Sequence, residues 1–140
     1  MRDVRTTKFE IVVGVPDDVF SNGKLENQVE KIIEKWKEYA KEYYDKTGIY
    51  VSTIANEGKA IYHNEWGCPY GGERTITFNC TPNYYFINDI NKYETGIHYI
   101  IGKLKKEFKQ HTITVTIMDA YMQYITDDNN DELEEIIKSI

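Results

Sequence analysis

The alternation of apolar and polar residues changes period several times along the chain, and each change marks an element. Lys8 to Val15 carries Phe9, Ile11, Val12, Val13 and Val15, a short β-branched run that predicts a buried first strand. Pro16-Asp17-Asp18 ends it, and Ser21-Asn22-Gly23 supplies turn and cap chemistry ahead of a helix. Leu25, Val29, Ile32, Ile33, Trp36, Ala40, Tyr43 and Tyr44 follow in steps of three and four. They form one apolar stripe on a helix whose other face is Glu and Lys. Lys46 falls in its last turn, and Gly48 stands where a left-handed cap belongs.

Ile49 to Ala55 predicts a second strand, Asn56-Glu57-Gly58-Lys59 a hairpin turn, and Ala60 to Asn64 a third strand. From Arg74 the residues Ile76, Phe78 and Cys80 alternate with Thr75, Thr77, Asn79 and Thr81. This stretch either continues the third strand across a bulge or forms another strand. Thr81-Pro82-Asn83 closes it, Tyr84-Tyr85-Phe86 make an aromatic loop, and Asn88 or Asp89 caps a second helix. That helix carries Ile90, Tyr93, Ile97, Ile100, Ile101, Leu104 and Phe108. Gly96 and Gly102 each cost it about 1 kcal/mol of helix propensity, and close packing is a reason to accept them. His111 to Met118 alternates around Ile113, Val115 and Ile117, with a short further strand expected from Tyr121 to Ile125. The polar run Asp127 to Asp131 caps a terminal helix with Leu133, Ile136, Ile137 and Ile140 on its sticky side.

The resulting order, β-α-β-β-α-β with extra strand material, predicts an α+β fold: a ferredoxin-like sandwich with two helices on one face of an antiparallel sheet. It is expected to be one domain over residues 1–140, in which 126–140 is a polar turn and short helix that docks on the domain or on a partner. The open sheet face, where threonines and some tyrosines are expected, needs a cover. A homodimer or higher homo-oligomer is the expected one.

Composition narrows the function classes. At 140 residues, 41% hydrophobic and 29% charged, the chain can bury a core without staples. No apolar run approaches the roughly 20 residues needed to cross a bilayer, and the N-terminal residues lead into a strand pattern rather than a signal-peptide core. A cytoplasmic protein without membrane association is expected. Cys68 and Cys80 are too few for a disulfide framework and too widely spaced for a redox pair. The formal net charge of −6, with only three arginines among 17 basic residues, argues against duplex nucleic acid. Abundant Ile, Lys, Asn and Tyr, all with A/T-rich codons, suit a low-GC bacterium or its mobile elements, phages included.

The chemically richest stretch is His63-Asn-Glu-Trp-Gly-Cys-Pro-Tyr-Gly-Gly-Glu-Arg74. His63, Glu65, Cys68 and Cys80 are zinc-ligand types, but the spacing departs from the deaminase pattern because Cys68 precedes Pro69 and Cys80 lies twelve residues on. Neither a metal nor any other cofactor is implied. A Cys68 nucleophile with His63 as base and Glu65 as orienter requires a geometry that proximity in sequence does not supply. Gly67, Gly71 and Gly72 beside Arg74 suggest a backbone cradle with a guanidinium fork for an anionic group. Trp66, Tyr70, Tyr84, Tyr85 and Phe86 are loop aromatics suited to stacking on a flat ring.

These residues lead to the expectation of a non-enzymatic protein that binds a small, anionic, nucleotide-like ligand. Trp66, Tyr70, Gly71, Gly72, Arg74, Tyr84, Tyr85 and Phe86 are expected to hold it between the 63–74 window and the 82–88 loop. By analogy with phage proteins, such a binder would sequester a signal or inhibit host defence. Two alternatives stand beside it: a small-molecule enzyme using His63 and Glu65 as acid and base at a subunit interface, and an acidic interaction module that inhibits a basic partner.

Overall fold

The computed structural model describes residues 1–110 and 112–140; the place of His111 in the expected fourth strand lies outside the described residues. Among the described residues six strands and three α-helices follow in order: β1 (Val4–Gly14), β2 (Val19–Ser21), β3 (Lys24–Glu26), α1 (Gln28–Thr47), β4 (Ile54–Ala60), β5 (Glu73–Cys80), α2 (Ile90–Glu107), β6 (Thr114–Met122) and α3 (Asn130–Lys138). The main sheet has the order β4-β5-β1-β6, and every neighbouring pair is antiparallel. This is the ferredoxin-like α+β arrangement that the pattern predicts.

The core lies between the sheet and the two long helices. Phe9, Ile11 and Val13 of β1 and Ile76, Phe78 and Cys80 of β5 are buried together with Val29, Ile32, Trp36, Ala40 and Tyr43 of α1 and Tyr93, Ile97, Ile100 and Leu104 of α2. Each fully buried large side chain contributes roughly 1.5–3 kcal/mol of transfer free energy. Trp36 stacks on Phe78 with ring centroids 4.3 Å apart, and its indole N–H donates to the Val51 carbonyl. The open sheet face carries the alternate residues, among them Lys8, Glu10, Thr75, Thr77, Thr114 and Thr116. The threonines are where the alternation puts them, but among the described residues the strands bring no tyrosine to this face.

Several boundaries differ from those the pattern predicts, the expected strand Ile49 to Ala55 among them, since residues 49–53 are not strand. Asn22 and Gly23, both at positive φ, turn a small hairpin of β2 and β3, so Leu25 lies in a strand and is exposed. Two residues of this type fit the twist of a tight hairpin, and α1 begins only after the Asn27 cap. No turn forms at 56–59. β4 runs straight through it and pairs with β5 from Ile54↔Asn79 to Ala60↔Glu73, since seven ladder pairs outweigh the local turn preference of Asn and Gly. Arg74 to Cys80 is therefore a separate strand, and the connection of this hairpin is residues 61–72. The strands expected at the end of the domain are a single β6, continuous through Tyr121.

Gly48 adopts φ 77° and donates its N–H to the Tyr44 carbonyl, ending α1 as expected. Asp89 caps α2 through its bond from the Lys92 N–H. Ile136 and Ile137 of α3 and Ile140 beyond its end are exposed. None of the helices among the described residues is long and apolar enough to cross a membrane.

Candidate active site

The strand directions divide the sheet into two ends. β1 arrives at Gly14, β4 at Ala60 and α2 at Glu107 on the end where β5 departs from Glu73; the 81–89 loop, the 48–53 segment and the end of β6 occupy the other. The window and the aromatic loop are therefore separated by the length of β5, about 25 Å for eight residues. One chain does not bring the two groups of expected ligand residues together, because they flank the same strand.

At the first end the residues 61–72 form a loop folded on itself. Asn64 to Trp66 make one 3₁₀ turn, capped by His63, whose Nδ1 accepts from the Glu65 N–H at 3.1 Å. The imidazole is thereby committed to a cap and packs near Trp66, ring centroids 5.8 Å apart. This does not favour the expected acid-base pair of His63 and Glu65. The N–H of Gly67 donates to the Asn64 carbonyl and that of Gly72 to the Pro69 carbonyl, so both are used inside the loop instead of cradling an anion. Gly72, at φ 94°, also passes so close to the Ala60 carbonyl that a Cβ would lie 3.1 Å from it. Trp66 is 77% exposed and Tyr70 fully exposed.

Arg74 is engaged within the protein. Its guanidinium meets Asp18 at 3.2 Å and Glu57 at 3.6 Å, because the helix-side alternation of β5 points it toward the loop after β1. Asp18 also accepts from the Gln28 N–H at the start of α1. That backbone hydrogen bond, seconded by Arg74, holds the Asp18 carboxyl below its ordinary value. Arg74 thus ties β5 to the entrance of α1, and its fork is not the free anion ligand expected.

The closest chemical pair at this end involves two residues that the sequence reading did not single out. The Tyr62 hydroxyl donates to Glu73 Oε2 at 3.1 Å. Partial burial raises the Tyr62 phenol above its ordinary value, and the Glu73 carboxylate adds to the shift. The other oxygen, Glu73 Oε1, lies over Gly14. A hairpin register would have revealed the pair: once Ala60 is set opposite Glu73, Tyr62 is placed to reach across the hairpin base. The turn expected at 56–59 concealed it.

At the second end, Tyr85 packs on Tyr124 with centroids 4.9 Å apart and Phe86 meets the same ring edge-on at 6.0 Å. Phe86 also lines a groove of about 350 Å³ with Tyr44, Tyr50, Pro82 and Tyr93, while Tyr84 and Tyr85 border a smaller hollow with Arg2 and Val4. Cys80 is buried here, and burial pushes its thiol up to about 11. Cys68 belongs to the loop at the opposite end. Among the described residues no three His, Cys, Asp or Glu side chains converge as metal ligands.

Fold and site together define a small ferredoxin-like protein with an acid-phenol pair and exposed loop aromatics at one sheet end. A sequence model of the SAM lyase family matches residues 4–126, so the chain belongs to the SAM lyase family. It is also similar in fold to a phage SAM lyase in the apo state, with 15% identity, TM-score 0.50, and coverage of 88% of this chain and 91% of that one. A phage SAM lyase in complex with S-methyl-5'-thioadenosine aligns at 14% identity and TM-score 0.48, over 85% of this chain and 90% of that one. A PII-like signalling protein from Thermus thermophilus aligns at 13% identity and TM-score 0.40, over 87% and 92% of the two chains. No curated protein sequence matches the chain. Family membership overturns the expectation of a non-enzymatic binder, because a lyase consumes the ligand that it holds.

Proposed function

We propose that this protein is an enzyme that cleaves S-adenosylmethionine, and that Glu73 and Tyr62 mark its active site. The family match over residues 4–126 carries the reading. The substrate chemistry explains why an acidic protein suits it. S-adenosylmethionine bears a sulfonium, an ammonium and a carboxylate, so it is a net cation, and a chain of net charge −6 attracts it. The expected ligand was nucleotide-like but anionic; an adenosyl cation keeps the flat ring for the loop aromatics and reverses the charge.

A lyase uses neither water nor a second substrate, so the electron pair that replaces sulfur must come from the substrate itself. Its own carboxylate reaches Cγ to close a five-membered ring. The S–Cγ bond breaks toward sulfur, and a lactone and a neutral thioether, 5'-methylthioadenosine, leave together. No proton is transferred in this step. Opposite charges on carboxylate and sulfonium are annihilated, which a poorly hydrated aromatic setting favours over water. Glu73 holds the cationic part of the substrate by charge, and Tyr62 fixes the Glu73 carboxylate in place. Trp66 and Tyr70 supply faces for the adenine and the sulfonium. A second copy of the chain is part of the proposal, as the cover for these exposed rings.

The test is incubation of the purified protein with S-adenosylmethionine in ¹⁸O-labelled water, followed by chromatography and mass spectrometry. Equimolar methylthioadenosine and a four-carbon product unlabelled at Cγ are expected. Intact substrate, or label on Cγ from attack by water, would sink the reading.

A further inference from the structure

Gly14 ends β1 opposite Thr75. Its φ is not among the positive values, so the backbone there suits any residue, and glycine only weakens the strand. Space, not conformation, is what distinguishes the position. A Cβ on Gly14 would lie 2.7 Å from Glu73 Oε1 and 3.1 Å from Gln110 Oε1. The first distance is closer than any real contact, and the obstructing atom is the end of a side chain rather than backbone. The missing methyl group is therefore the seat of a carboxylate whose other oxygen accepts from Tyr62 at 3.1 Å.

We propose that Gly14 is a positioning residue: by leaving the end of β1 bare, it lets the Glu73 carboxylate lie over the strand within reach of Tyr62 and opposite the Gln110 carboxamide. The inference rests on the reading that Glu73 faces the substrate. An alanine at this position displaces the carboxylate and parts it from Tyr62 while the ladder stays paired. A shorter acid at position 73 withdraws from the methyl group, so Glu73→Asp compensates for Gly14→Ala.

The experiment compares kcat, KM and thermal midpoint for the full-length wild type and the variants G14A, E73Q, E73D and G14A/E73D. G14A is expected to keep its thermal midpoint and lose about ten- to a hundredfold in kcat, the scale of an ångström misplacement. G14A/E73D is expected to exceed the product of the two single variants' residual activities. Wild-type kcat in G14A, or losses that simply multiply in the double variant, overturns the inference. If E73Q retains full turnover, the reading of Glu73 fails and the inference falls with it. If E73Q is inactive while G14A is unimpaired, only the inference falls.

Discussion

The Tyr62 hydroxyl and Glu73 Oε2 meet at 3.1 Å across the base of the β4–β5 hairpin, eleven residues apart in sequence and adjacent only because Ala60 pairs with Glu73. The bond joins the start of the 61–72 connection to the first residue of β5, so the acid is held by ladder geometry on one side and by a phenol on the other. Removing either partner should therefore affect turnover more than folding. Glu73→Gln keeps the shape and removes the charge; a loss of about a hundredfold or more in kcat is expected, the scale of a lost electrostatic contact. Tyr62→Phe removes a hydrogen bond to a charged group worth about 1.5–3 kcal/mol, so about a ten- to hundredfold loss is expected. Release of methylthioadenosine, followed by chromatography, measures both.

Trp66 and Tyr70 stand in solvent, so alanine at either position should change stability by no more than about 0.5 kcal/mol. If they stack on the adenosyl group, KM rises while kcat changes little. Steady-state kinetics beside chemical denaturation separates the two effects, and an unchanged KM in both variants removes these rings from the site.

Asp18 bonds the Gln28 N–H at 3.0 Å and Arg74 at 3.2 Å, contacts made only by its ionised form at full strength. Its folded value lies below the ordinary 3.8, so the stabilisation is complete above 3.8 and is lost as pH falls through the folded value. Asp18→Asn should be less stable than wild type at neutral pH, and the gap should close in acid. Thermal melts across the acidic to neutral range check the sign.

Gly96 and Gly102 carry the same propensity cost in α2 and have opposite surroundings. A Cβ at Gly96 would lie 2.6 Å from a Tyr43 ring carbon and 2.8 Å from Val51, so Gly96→Ala overpacks the α1–α2 contact and should cost about 1–3 kcal/mol. Nothing lies within 4 Å of a Cβ at Gly102, and Gly102→Ala should stabilise by up to about 1 kcal/mol. Urea midpoints of the two variants should shift in opposite directions.

Cys80 is fully buried, and its thiol is raised from 9.0 to about 11. The unfolded thiol ionises first as pH rises, so Cys80 weakens the folded state above about pH 9. A thiol reagent at neutral pH should modify Cys68 alone in the native protein and both cysteines in denaturant. Rapid native labelling of Cys80 would contradict its burial.

Periodicity made much of the architecture legible in the chain. The 3.6-residue stripes of Val29 to Tyr43 and Tyr93 to Leu104, the strand alternation of Phe9 to Val13 and Ile76 to Cys80, and the caps at Gly48 and Asp89 each follow from local rules. Together they are enough to predict a ferredoxin-like sheet with two helices. The window 63–74 was also visible as the place where chemistry concentrates, since no core demand explains its residue types.

Tertiary structure decided which of those residues meet. Long-range pairing overrode the turn preference of Asn56 and Gly58, moved the hairpin connection to 61–72, and thereby joined Tyr62 to Glu73. It placed the aromatic loop at the far end of β5, tied Arg74 to Asp18 and Glu57, and committed His63 to a helical cap. None of these outcomes is local. A side chain's partner depends on strand register, and register is fixed by the summed pairing and burial of whole strands rather than by the few residues proposed to form the site.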